Sequence, residues 1–112
     1  MEQYLKIFKA LGDQSRLRIT LMLLVKPMCV CEIRAIIGSS MSTISNHLRI
    51  LKEADIIAFR KEDKYIIYSL NTSRKIVQQI LNMLKEINDN LLSEDKLKAF
   101  KTSRFDICTF NS

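Results

Sequence analysis

Glycine and proline are nearly missing from this 112-residue chain, which holds two of the first and one of the second. That scarcity argues against a turn-rich sandwich and for helices. Long apolar runs are lacking too: the longest, Leu21 to Val25, is far below the roughly 20 residues of a membrane-crossing helix. The opening Met1-Glu2-Gln3-Tyr4-Leu5-Lys6 has no apolar signal-peptide core, so the expected location is the cytoplasm, with no membrane partner. Histidine occurs once, as His47. Without a second histidine or a carboxylate at ligand spacing, it is expected to form hydrogen bonds rather than hold a metal. Only three cysteines are present, Cys29, Cys31 and Cys108. In a reducing compartment, an odd number with one close pair suits ligation or redox sensing better than a disulfide framework.

What is present has the balance of a soluble globular protein, with 47% apolar and 27% charged residues. The length bounds the chain to one domain whose core is too small to be generously stable alone, so a partner subunit would help. A formal charge of +6 implies a polyanionic partner, although charge alone does not separate nucleic acid from a membrane surface.

Apolar spacing predicts a first helix over about residues 2–11. Asp13 is positioned to cap a second helix with Leu17, Leu21 and Leu24 on one face, and Lys26-Pro27 ends it. A short third helix, about Val30 to Ile37, should stop at Gly38, which can take the left-handed conformation. Ser40 should cap a fourth helix reaching about Ala54, burying Ile44, Leu48 and Leu51. The period then shortens to two over residues 56–60 and 65–70, two strands joined by a charged turn. With no glycine there, Asp63 is the candidate for positive φ, and the loop is expected to exceed a tight two-residue hairpin. A fifth helix, about Ser73 to Leu91, carries Ile76, Val77, Ile80, Leu81, Leu84, Ile87 and Leu91. This is more apolar face than one thin domain needs. The first and fifth helices are therefore the expected surface of a two-fold homodimer. Residues 1–92 would form the DNA-binding and dimerisation domain. Residues 93–112 would be an extension carrying Cys108, with a helical stretch from Ser93 to about Lys101.

Two helices joined by a tight turn and followed by a two-stranded hairpin describe a winged helix-turn-helix, mostly α with a β wing. The polar side of the fourth helix offers Ser42, Thr43, Ser45, Asn46, His47, Arg49 and Lys52 to double-stranded DNA. Small hydroxyl residues permit close approach, Asn46 can reach adenine edges, and Arg49 can reach guanine or phosphate. Arg60, Lys61 and Lys64 in the hairpin would meet phosphates or the minor groove, although any one such charge could be ordinary solvated surface.

Ser42-Thr43-Ile44-Ser45-Asn46-His47-Leu48-Arg49-Ile50-Leu51-Lys52-Glu53-Ala54 follows Leu11-Gly12-Asp13-Gln14-Ser15-Arg16-Leu17-Arg18-Ile19 and precedes Lys64-Tyr65-Ile66-Ile67-Tyr68-Ser69-Leu70. Together these resemble the ArsR/SmtB family of metal-sensing repressors over about residues 4–90. Cys29-Val30-Cys31-Glu32-Ile33 is similar to the Cys-Val-Cys element of the arsenite-responsive and cadmium/lead-responsive branches. The resemblance implies a dimeric transcriptional repressor that leaves its operator when effector binds. Two positions depart from it: Arg34 stands where many arsenic sensors have a third cysteine, and Asp55 where the fourth helix usually ends in glycine. The zinc site many relatives carry on the fifth helix is not expected, because residues 73–91 contain no histidine.

Thiolates select soft ions, which makes Cys29 and Cys31 the expected metal ligands for arsenite or antimonite, with cadmium or lead as the alternative. No obligatory cofactor is implied. In an ideal helix, residues two apart point roughly 200° from one another, so the two sulfurs converge only where the helix start is extended or unwound. Cys108, from its own or the partner subunit, is the candidate third ligand. The cysteines could instead be small buried hydrophobes, or serve persulfide or redox sensing. A thiol oxidoreductase would need a phosphate-like cradle or a Cys-x-x-Cys helix start, and neither is present, so an enzyme is not expected. A cytosolic metal carrier would leave the helix-turn-helix and wing without a purpose.

Overall fold

A computed structural model describes residues 1–86 and Lys98. The elements run α1 (Glu2–Leu11), α2 (Gln14–Leu23), β1 (Met28–Cys29), α3 (Val30–Ile37), α4 (Met41–Glu53), β2 (Ile57–Glu62), β3 (Tyr65–Leu70) and α5 (Lys75–Leu84). Cys108, the expected helical stretch 93–101 and the expected end of the fifth helix at Leu91 lie outside the described residues. Among the described residues, no helix is long and apolar enough to cross a membrane.

The helix boundaries follow local chemistry. Asp13 is extended, and its carboxylate accepts from the Arg16 backbone N–H at 3.0 Å, satisfying one of the unpaired donors at the start of α2. Ser40 does the same for α4, accepting from Thr43 N–H at 3.2 Å. Gly38 ends α3 at φ 87°, a left-handed conformation that costs glycine nothing. Asp55 after α4 has φ 60° and Asp63 in the hairpin has φ 55°. Asp55 tolerates the position usually held by glycine with support from outside its own turn. Arg74 Nη1 pairs with its Oδ2 at 2.9 Å, and Asn71 Nδ2 donates to its carbonyl at 3.1 Å.

Two expectations need correction. The hairpin is tight after all: Glu62 pairs with Tyr65, leaving Asp63-Lys64 as a two-residue turn. The wing has a third strand, because β1 pairs antiparallel with β3, in the order β1-β3-β2, with Met28 opposite Tyr68 and Cys29 opposite Ile67. A two-residue strand has no period of its own to read, and its existence depends on β3 lying beside it.

The core gathers Ile7 and Ala10 of α1, Ile19, Met22 and Leu23 of α2, and Ile44, Leu48 and Leu51 of α4, with Met28, Ile33, Ile56 and Ile57. Full burial of each large apolar side chain contributes about 1.5–3 kcal/mol, so the α4 stripe alone anchors its helix firmly. Helix α2 is central, buried at five consecutive positions from Ile19 to Leu23 rather than along a single leucine face. On α5 the apolar stripe turns inward: Val77, Leu81 and Leu84 form a cluster with Leu21 of the same chain. That leaves Met83 as the large exposed apolar side chain of α5, whereas α1 exposes Tyr4, Leu5 and Phe8, the last at 61%.

The Asp13 carboxyl is held below its ordinary value of 3.8, chiefly by the Arg16 N–H bond, with the Arg16 charge a smaller cause. Asp13→Ala should lower unfolding stability by about 1 kcal/mol, measured by denaturant titration at neutral pH. A lowered carboxylate pKa stabilises the fold above the unfolded value and loses that contribution as pH falls through the folded one. The gap between the two proteins should therefore narrow only in acid below about 3.8. A constant gap down to full protonation would show that the cap acts without its charge.

Candidate nucleic-acid interface and thiol site

Because Ile44, Leu48 and Leu51 face the core, the other sides of α4 face out, and Ser42, Thr43, Ser45, Asn46, Arg49 and Lys52 are all exposed. Arg60, Lys61 and Lys64 are exposed on the hairpin. Lys52 links the two surfaces, its Nζ lying 4.2 Å from the centroid of the Phe59 ring on β2. Phe59 in turn faces Tyr68 across the strands, with ring centroids 6.0 Å apart. A cation over an aromatic face contributes about 0.5–1 kcal/mol at an exposed site, enough to bias the wing's angle against α4. Sequence reading assigned Lys52 a DNA role and missed this one.

Two basic groups are already engaged. Arg49 donates to Asn46 Oδ1 at 2.7 Å and to Glu53 Oε1 at 3.1 Å, while Arg60 meets Glu62 Oε2 at 3.3 Å. These are exposed pairs of small net worth, and they yield readily to a phosphate. The i,i+4 spacing of Arg49 and Glu53 was legible in the sequence. His47 stands apart from the others, its side chain 14% exposed and turned toward α2. Its Nδ1 lies 3.2 Å from Arg16 Nη1 and 3.9 Å from Asp13 Oδ2.

The two cysteines of the close pair occupy different backbone states. Cys29 is the extended N-cap of α3, at φ −86° and ψ 168°, and is 2% exposed. Its N–H donates to Glu32 Oε1 at 3.1 Å, and Glu32, itself buried, pairs through Oε2 with Lys26 Nζ at 3.6 Å. This capping arrangement was missed, although Glu three residues after a helix start is its sequence signal. Cys31 lies in the first turn of α3, half-buried, and packs with Tyr65 against the cluster formed by Cys29 and Ile67. The backbone at the start of α3 is thus extended at Cys29, where β1 ends. Cys31 also lines a cavity of about 250 Å³ with Arg34, Ala35, Gly38 and Met41, at the junction of α3 and α4. Neither Cys29 nor Cys31 is joined in a disulfide. Among the described residues, no group of three His, Cys, Asp or Glu side chains comes together as a metal cage.

A helix-turn-helix whose second helix turns its polar face outward beside a basic hairpin is the architecture of a DNA-binding regulator rather than an enzyme. The sequence profile described as bacterial regulatory protein, arsR family, matches residues 13–58. A cadmium resistance transcriptional regulatory protein CadC homolog of Staphylococcus aureus is 46% identical over 67 residues, 59% of this chain and 55% of that protein. The arsenic resistance transcriptional regulator ArsR1 of Pseudomonas putida is 34% identical over 96 residues, 82% of this chain and 73% of that protein. In three dimensions, HlyU from Vibrio cholerae aligns with a TM-score of 0.66 at 29% identity, over 74% of this chain and 88% of that one. The chain belongs to the ArsR family of bacterial transcriptional regulators.

The two thiols should be distinguishable in the native protein. A small alkylating reagent is expected to label Cys31 first, with Cys29 protected until β1 and the start of α3 open. Peptide mapping by mass spectrometry checks the order, and simultaneous labelling would mean that the β1–β3 seam offers Cys29 no protection.

Proposed function

We propose that the protein is a homodimeric repressor that binds operator DNA through α4 and the wing and releases it when arsenite or antimonite binds Cys29 and Cys31. The observation that carries this reading is the position of the thiol pair. Cys29 belongs to both β1 and the α3 cap, so a bond to its sulfur pulls at once on the third strand of the wing and on the helix that supports α4. DNA and effector then favour different conformations of one segment, and their antagonism is reciprocal. Cys108 is the proposed third sulfur. Ser42, Thr43, Ser45, Asn46, His47, Arg49, Lys52, Arg60, Lys61 and Lys64 are the proposed DNA contacts. The exposed Tyr4, Leu5 and Phe8 of α1 support an interface there, while the inward turn of Val77, Leu81 and Leu84 reduces what α5 offers. Cadmium or lead is the second reading, favoured by the identity shared with the CadC homolog.

The test is a mobility-shift titration of a duplex selected from a random-sequence pool, against arsenite, antimonite, cadmium and lead. Cys29→Ser and Cys31→Ser should each keep duplex binding and lose release, because a hydroxyl cannot replace the soft thiolate bond. Release of both variants at the wild-type arsenite concentration would remove the thiol switch. Release by cadmium and lead alone would establish the second reading.

Glu53→Gln frees Arg49 from its carboxylate and should tighten duplex binding by about 2–5-fold at low salt, the worth of an exposed ion pair, with the gain fading as salt rises. Unchanged affinity at low salt would place Arg49 away from the phosphates.

A further inference from the structure

Arg16 of α2 makes an unusual set of contacts for a surface arginine. Its Nε donates to the Ala10 carbonyl at 2.8 Å and Nη2 to the Lys9 carbonyl at 3.4 Å, both at the end of α1, where the Lys9 carbonyl also accepts from the Gly12 N–H at 3.2 Å. So anchored, the guanidinium directs Nη1 across to α4, 3.2 Å from His47 Nδ1. A guanidinium has no acceptor, so this contact is a hydrogen bond only with Nδ1 accepting, and the neutral ring then carries its proton on Nε2; Asp13 Oδ2, 3.9 Å from the same nitrogen, lies beyond hydrogen-bond range. Among the described residues, none of the ring's hydrogen bonds or ion pairs involves Nε2. Among the described residues, no fully buried side-chain nitrogen or oxygen lacks a partner, so Nε2 keeps some contact with solvent. Helical side chains lean toward the preceding turn, which carries this N–H toward the Ser42 and Thr43 end of α4. A ring so recessed meets the phosphates flanking a groove rather than base edges at its floor.

We propose that Arg16 is a positioning residue for DNA recognition, holding His47 in the tautomer whose Nε2–H donates to a backbone phosphate of the duplex. The proposal rests on the reading of α4 as the DNA-facing helix and adds a residue that touches no DNA itself. Arg16 couples the end of α1 to one hydrogen atom on α4, and the tautomer is set before DNA arrives.

His47 is the sole histidine, so its imidazole ¹⁵N signals are unambiguous. In mildly alkaline buffer the free wild-type protein should show Nδ1 unprotonated, Nε2 protonated, and scalar coupling between Nδ1 and an Arg16 Nη. Arg16→Gln should lose that coupling and average the tautomers. On the selected duplex, His47→Gln, whose amide N–H reaches the Nε2 position, should bind within about threefold of wild type. His47→Asn, which reaches only the Nδ1 position, and Arg16→Gln should each bind about tenfold more weakly, the scale of one hydrogen bond to a charged group. The slope of affinity against salt should be unchanged in all three, since a neutral donor displaces no counterion. A protonated Nδ1 in the wild type, or equal binding by the two His47 variants, would overturn the proposal without requiring Arg16→Gln to fold. A flattened salt slope in Arg16→Gln would overturn it too, by showing that the whole helix had shifted. Failure of the wild-type protein to select or bind any duplex, with the tautomer as stated, would instead bring down the DNA reading on which the phosphate contact depends.

Discussion

The constraint on which the rest of the molecule depends is the burial of one side of α4. Ile44, Leu48 and Leu51 are withdrawn from water against α1, α2 and α3, and this burial holds a helix of mostly polar residues at a defined angle. A helix reading DNA must spend its outward face on hydroxyl, amide and guanidinium groups that contribute little to stability, so its three buried apolar positions carry most of the anchoring. Gly38 and the Ser40 cap set where the helix begins, and the left-handed Asp55 sets where the chain leaves it for the wing.

The cysteine pair lies where α3, β1 and β3 meet, a seam of few residues compared with the main core. Cys29 is held there by backbone pairing to β3, by its N–H bond to Glu32, and through Glu32 by Lys26. Each of these restraints belongs to the short segment that would have to rearrange around a bound ion. A weakly buttressed seam next to a firmly packed helix gives two elements of unequal stability, which is what a switch requires.

The charged surface is arranged to be available rather than idle. Arg49 and Arg60 rest on Glu53 and Glu62, and Lys52 rests on the Phe59 ring, so long side chains are partly ordered before any polyanion approaches. Partial ordering lowers the entropy lost on binding, and solvent-exposed partners surrender the charge at small cost. The Lys52–Phe59–Tyr68 stack also ties the angle of the wing to α4, joining two surfaces that neighbour each other in sequence but need a defined geometry to meet DNA together.

Local chemistry alone determined much of this. Asp13 and Ser40 as caps, Gly38 as a helix end, Asp63 as the positive-φ residue and the α4 stripe all follow from interactions spanning four residues or fewer, so each was legible in the chain. The outward set from Ser42 to Lys52 was legible for the same reason, since helical period alone assigns faces. What no local rule could supply were contacts between residues far apart in sequence. β1 exists because β3 lies beside it, and the stripe of α5 turns inward because Leu21 is there to meet it. His47 reads as one more polar residue on α4, yet its ring is oriented by Arg16, 31 positions earlier, whose side chain is itself aimed by the carbonyls that end α1. Periodicity sorts side chains into inward and outward, but the partner that holds a given atom is chosen only when separate helices pack.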